Sequence, residues 1–347
     1  MAAVTCEEVR SAALLSCAAA YKGNPTPMPS PCGRPQHPWA KHVPEDCVAD
    51  DPGCLLGYFS VLTDMQTFGC AEGGVYGRLA LDRCSRRCWV VFRGTQDIKS
   101  WLHNLNFDHV EVPGIPGSLH FGFATQLQAA LPVVNEYVRS RCPAGFSIYT
   151  TGHSLGGALA TMYASYVKHA KPGVGVCCLV FGSPRAGNAG FAGALAGTDA
   201  RVVRFNMWAG GEADDRVTHL PAASTGFKHA GEHRLLRFGD PPAADASMVS
   251  RLVEMHHHHR YLKSVFALPQ HIAFGAALAA MPQEELADGK LAELIQVAAS
   301  MYNKLSSAGI AASLRSMSMG NTWLKQGMSA YDRHMHQPQA RVLEDED

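Results

Sequence analysis

One short segment restricts the fold of this chain more than any other. An apolar β-type run from Phe146 to Thr151 passes directly into Gly152-His-Ser-Leu-Gly-Gly157, and Ala158 to His169 then has the pattern of a helix. A strand can turn into a helix over so few residues only if its neighbours approach closely, which explains Gly152 and Gly156 on either side of Ser154. The turn lifts the Ser154 hydroxyl above a sheet edge and aims a helix N-terminus at whatever sits beside it.

The flanking sequence repeats the alternation. Cys88 to Phe92 is a short strand-like run that stops at Arg93-Gly94-Thr95, and Phe123 to Arg141 has helical spacing with Pro132 as an expected kink or break. Gly175 to Phe181 and Ala200 to Asn206 are further buried strands. Strands alternating with helices imply an α/β fold whose central sheet is mostly parallel and flanked by helices.

Composition excludes several classes. Of 347 residues, 47% are hydrophobic and 17% charged, enough apolar material for a large core and against disorder of the whole chain. Lys and Arg number 30, as do Asp and Glu, so no excess of positive charge marks a nucleic-acid partner. No run of roughly 18 apolar residues offers a transmembrane span.

Ser11 to Ala20 resembles a short signal core, but Glu7 and Glu8 stand where positive charge belongs. It reads instead as an Ala-rich helix opening the folded domain, and a soluble intracellular protein is expected over a secreted one. The 11 cysteines leave the compartment open. Cys32, Cys47, Cys54, Cys70, Cys84 and Cys88 cluster as bridged thiols would, while Cys177 and Cys178 sit in an apolar run.

The expected division is a domain over 1–270, with 24–75 an irregular Pro- and Cys-rich wrap, followed by a helical extension over 271–347 that ends in an acidic tail. That extension is Ala-, Leu- and Ser-rich, with few basic residues to hold it on a lipid surface.

A Ser hydroxyl needs a base and an orienting carboxylate before it can attack anything. Five ordered motifs address this. Val91-Phe-Arg-Gly-Thr95 with Trp101 comes first, followed by His120-Phe-Gly-Phe123 and Thr151-Gly-His-Ser-Leu-Gly-Gly-Ala-Leu-Ala160. Phe181-Gly-Ser-Pro-Arg-Ala-Gly-Asn188 and Asp215-Arg-Val-Thr-His-Leu-Pro221 complete the series. Over about Cys88 to Phe238 the chain resembles the class 3 lipase family of α/β hydrolases.

The resemblance implies Ser154 as nucleophile and Asp215 as acid, with Asp214 and Glu212 as adjacent rivals. It places the base three residues before a Tyr. That points to His258 ahead of Tyr261, although His257 or His259 of the run His256 to His259 could take its place. The N–H groups of Leu155 and Thr95 would form the oxyanion hole. His229 falls in a segment that is usually structural, and His153 is expected to pack and hydrogen-bond.

The four-His run also suggests a transition metal. No Cys or carboxylate of zinc-ligand spacing accompanies it, so neither metal nor other cofactor is expected.

Just after the oxyanion turn, Ile98, Trp101, Leu102 and Leu105 share one helical face. In related fungal lipases an amphipathic lid occupies this position; the alternative is an ordinary surface helix packed on the core. The resemblance implies a serine ester hydrolase acting on acylglycerols through transient contact with a lipid surface. A phospholipase A1-type enzyme, a soluble-ester carboxylesterase and a non-catalytic lipase-like binding module are the alternatives.

Overall fold

Thr5 opens the first helix with a reciprocal cap. Its N–H donates to Glu8 Oε2 at 2.8 Å, and the Glu8 N–H donates to Thr5 Oγ1 at 3.2 Å. Helix α1 (Cys6–Ala20) follows, and its small Ala side chains let nearly its whole length sink into the core. The computed structural model describes residues 4–20, 61–70, 74–95, 108–210, 213–237, 248–266 and 342–343.

Strands β1 (Leu62–Cys70), β2 (Val75–Asp82) and β3 (Arg87–Phe92) form an antiparallel meander. Then come β4 (His109–Val112), β5 (Ile115–His120) and helix α2 (Phe121–Arg141). Pro132 does not break α2: it lies on the exposed face, where water can satisfy the carbonyl that loses its partner. The buried stripe of α2 runs through Phe123, Leu127, Ala130, Val134 and Val138, the spacing of one helical face.

After α2 the chain alternates between sheet and helix. In order come β6 (Ser147–His153), α3 (Leu155–Ala170), β7 (Val176–Phe181), β8 (Gly187–Asn188), α4 (Ala189–Ala196) and β9 (Arg201–Gly210). Strands β10 (Ala213–Asp214), β11 (Phe227–Lys228) and β12 (Glu232–Arg237) precede two short helices, α5 (Met248–His256) and α6 (His258–Phe266). Val342–Leu343 form β13 at the edge beside β1.

Strands β3, β6, β7, β9 and β12 run parallel and neighbour one another in chain order, with antiparallel pairs at the margins. This is the mostly parallel α/β-hydrolase architecture that the sequence implies. Strand β7 is buried throughout, as a strand covered on both faces must be. Helices α2 and α3 lie in the core cluster on one face, and α1 and α6 in the cluster on the other. A smaller sheet of β11, β8, β5 and β4 flanks the main one.

Charge fixes α1 to the sheet. Glu8 Oε1 accepts from the Arg201 guanidinium at 2.7 Å and from the Tyr149 hydroxyl at 2.5 Å. Burial alone would raise Glu8, but donation from Tyr149, the Thr5 amide and Arg201 holds its carboxyl below the usual range.

Two sequence expectations fall mostly outside the described residues. Within 24–75, Leu62–Cys70 is a regular strand, and most of the rest of that stretch lies outside the described residues. The helical extension over 271–347 also lies outside them, apart from β13. Among the described residues no helix is long and apolar enough to cross a membrane. Cys70, Cys84 and Cys88 carry free thiols, and Cys32, Cys47 and Cys54 fall outside the described residues.

Candidate active site

The C-terminal ends of the parallel strands carry the candidate residues, as ligand sites in open α/β sheets do. Ser154 follows β6 at φ 59° and ψ −130°, a left-handed strain for a residue with a side chain, and caps α3. Packing over-determines this conformation. A Cβ on Gly156 would come within 2.2 Å of the Phe92 carbonyl oxygen, so β3 and the start of α3 touch through backbone alone. The Ser154 N–H continues the ladder by donating to the Phe181 carbonyl at 2.9 Å.

Asp215 ends the excursion after β9. Its N–H donates to the Met207 carbonyl at 3.1 Å, and its carboxylate caps the following 3₁₀ turn by accepting from the Val217 N–H. The side chain is 1% exposed and also accepts from the Tyr261 hydroxyl. Tyr261 in turn accepts from the Met207 N–H at 3.1 Å, which locks α6 to β9.

The rival carboxylates stand differently. Asp214 turns away to His219 Nε2 at 2.7 Å and to Arg216. Glu212 lies outside the described residues.

The histidine facing Asp215 is His256, whose Nδ1 lies 2.9 Å from Oδ1 and 2.8 Å from Oδ2. His258 does not occupy this position, so the expected register is corrected by two residues. The reason is the break at His257 between α5 and α6: His256 closes α5 and points at Asp215, while His258 starts α6 on another heading. Tyr261 still joins the group, but five residues after the histidine rather than three.

His258 instead packs edge-on against His153, at 5.8 Å between ring centres. Burial, then His259, His257 and His256, keep His258 neutral well below the usual imidazole range. His257 is the exposed member of the run, and His259 is half-buried.

His153 itself packs 4.5 Å from the His256 ring. Burial first, then His256 and His258, push it far down, so it stays uncharged beside Ser154. His229 Nε2 pairs with the Thr218 carbonyl at 2.7 Å and braces the turn after Asp215.

Ser154 Oγ, His256 Nε2 and Thr95 Oγ1 are each enclosed at this site without a hydrogen-bond partner. A buried polar atom without a partner needs a reason, and a catalytic role is one. Thr95 reaches this place through Gly94, where a Cβ would meet the His153 carbonyl at 2.6 Å and Ser154 Cβ at 3.3 Å. Leu155 is buried in the first turn of α3, directly after Ser154. The lid residues Ile98, Trp101, Leu102 and Leu105 lie outside the described residues.

Sequence spacing missed Tyr261 as a partner of Asp215, and it missed that Cys17 of α1 lies against His258 and His259. The H-x-x-Y pattern carried a trace of the first. The second joins residues far apart in the chain.

Residues 89–225 match the family described as Lipase (class 3). The chain is 29% identical over 203 residues to secreted mono- and diacylglycerol lipase 1 of Fusarium solani, covering 57% of this chain and 55% of that protein. It is 32% identical over 162 residues to a lipase of Rhizomucor miehei, covering 44% and 42%. Phospholipase A1-II 1 of Oryza sativa subsp. indica is 30% identical over 212 residues, covering 54% and 49%. The chain thus spans about half or less of the length of these relatives.

Two solved structures share the fold. The lipase of Rhizopus microsporus var. chinensis has a TM-score of 0.51 at 20% identity, covering 67% of this chain and 76% of that one. Lipase II of Rhizopus niveus has a TM-score of 0.51 at 21% identity, covering 68% and 83%.

The expectation of an intracellular rather than a secreted protein is corrected by the relatives, since those of Fusarium solani and Penicillium cyclopium are both named as secreted lipases. The strained Ser154 turn, the ordered motifs and the mostly parallel sheet thus accompany a match of residues 89–225 to the class 3 lipase family.

Proposed function

We propose that this protein is a serine ester hydrolase that cleaves acylglycerol ester bonds with Ser154, His256 and Asp215. The observation that carries the reading is the buried Asp215–His256 pair, whose outer Nε2 is enclosed without a partner, as is Ser154 Oγ. The match of residues 89–225 to the class 3 lipase family and the mono- and diacylglycerol lipase among the relatives support the substrate class.

The chemistry follows from the groups present. Ser154 Oγ attacks the ester carbonyl carbon while its proton passes to His256 Nε2, and Asp215 holds the Nδ1–H and stabilises the imidazolium. The tetrahedral oxyanion is met by the N–H groups of Leu155 and Thr95, with the enclosed Thr95 hydroxyl as a further donor. Collapse returns the proton from His256 to the departing alcohol and leaves an acyl ester on Ser154. Water then attacks that ester with His256 again as base, and His256 returns the proton to Ser154 Oγ as the fatty acid leaves. Contact with a lipid surface belongs to the same proposal.

Phospholipase A1 activity is the second reading, favoured by the relatives named as phospholipases A1. The test is hydrolysis of a short-chain ester series followed through its solubility limit, with wild type and Ser154→Ala side by side. A Ser154-dependent jump when droplets form supports a lipase, and smooth saturation points to a soluble-ester enzyme. Equal turnover by Ser154→Ala, with no labelling of wild type by a fluorophosphonate, would overturn the serine mechanism. Fatty-acid release from dioleoylglycerol against dioleoylphosphatidylcholine separates the two lipid readings.

A further inference from the structure

Behind the candidate triad, α1 and α6 pack together and bring three metal-ligating side chains to one point. Cys17, His258 and His259 each offer one ligand atom, and all three atoms lie within 4.8 Å of one another. Tetrahedral zinc ligands, at 2.0–2.3 Å from the ion, are separated by about 3.5 Å, so rotamer adjustments of about 1 Å close the group around an ion. We propose that Cys17, His258 and His259 form a zinc site that clasps α1 to α6, with water as fourth ligand.

The donor chemistry selects the ion. One thiolate and two imidazoles suit zinc, and the group includes no carboxylate of the kind that magnesium and calcium require. Cys17 is buried, in the same core cluster as Tyr261 and Leu262 of α6, so its sulfur is held in place rather than presented on a mobile surface. On binding, the Cys17 thiol gives its proton to solvent and forms the Zn–S bond, each imidazole donates a lone pair, and nothing is oxidised or reduced.

The position gives the site a use. His258 follows His256 by two residues, and the rings of both pack on His153, at 5.8 Å and 4.5 Å. An ion held by His258 and His259 fixes the start of α6 against α1, and so steadies the α5–α6 junction that aims His256 at Asp215. It acts as a clasp beside the reacting atoms and takes no part in the chemistry.

The test is titration of the chelator-treated full chain with Co²⁺, read by the thiolate-to-cobalt charge-transfer band and by displacement with Zn²⁺. The expected result is one ion per chain with that band, and a rise in the thermal midpoint when Zn²⁺ is added. Cys17→Ser should abolish the band, and His259→Gln should weaken binding about tenfold or more. His257→Gln should change neither. Because Cys17→Ser alters a buried position, His259→Gln decides the question if that variant misfolds. Cobalt binding without a thiolate band, binding lost equally in His257→Gln, or no stoichiometric binding would each overturn the site. None of these readouts depends on ester hydrolysis.

Discussion

His256 Nδ1 lies 2.8 Å from Asp215 Oδ2, with both side chains sealed from water. That pairing distinguishes four adjacent histidines that composition cannot tell apart. His256→Ala should lower kcat/KM on a soluble ester by about 10⁴-fold, whereas His258→Ala should cost far less. Steady-state kinetics on both variants decide it, and a larger loss at His258 would return the base to the H-x-x-Y register.

Gly182 sits at φ 56°, and a Cβ there would lie 2.9 Å from Asp215 Oδ2, 3.0 Å from the Tyr261 oxygen and 3.1 Å from His256 Cε1. Gly182→Ala should therefore displace the Asp–His pair itself. The expected outcome is a kcat at least about tenfold lower with KM little changed, alongside about 1–2 kcal/mol of lost stability. Denaturant melts and kinetics on the same preparation separate the two effects.

Thr95→Val keeps the shape and the N–H of this residue and removes only the enclosed hydroxyl. If that hydroxyl meets the oxyanion, kcat should fall by about a hundredfold while fluorophosphonate still labels Ser154. An unchanged kcat would leave the backbone N–H as the sole donor from Thr95.

His120 caps α2 through Nδ1 and stacks on Phe123, and burial, reinforced by His109, pushes its pKa down to about 4. The unfolded chain takes up this proton near pH 6.5 and the folded chain does so only near 4, so protonation favours the unfolded state across that window. Stability should fall as pH drops from about 6.5 to 4, this group contributing up to about 3 kcal/mol. His120→Asn keeps a capping acceptor that does not titrate. Its thermal midpoint should decline less steeply over the same range, and an identical slope would exclude His120.

The sequence announces the turn at Ser154 because every requirement of that turn is local: apolar run, flanking glycines, helix. The same holds for the alternation that builds the parallel sheet. Strand β12 escapes notice because Glu232–Arg237 is rich in charged residues, and its pairing with β9 is non-local. The choice among His256 to His259 depends on where α5 stops, and four identical side chains encode no phase. The Cys17 contact depends on how α1 packs across the sheet, which no spacing rule reaches.

Ser154 and Asp215, with Gly182 beside them, are pinned by single backbone bonds that continue the sheet. Ser154 N–H reaches the Phe181 carbonyl at 2.9 Å, Gly182 N–H the Phe205 carbonyl at 2.9 Å, and Asp215 N–H the Met207 carbonyl at 3.1 Å. The reacting geometry thus inherits the stiffness of β6, β7 and β9 rather than that of the loops above them. Surface segments around the mouth can lengthen, shorten or change composition while the proton path beneath keeps its dimensions. In such a scaffold the chemistry can stay fixed while the range of accepted esters drifts.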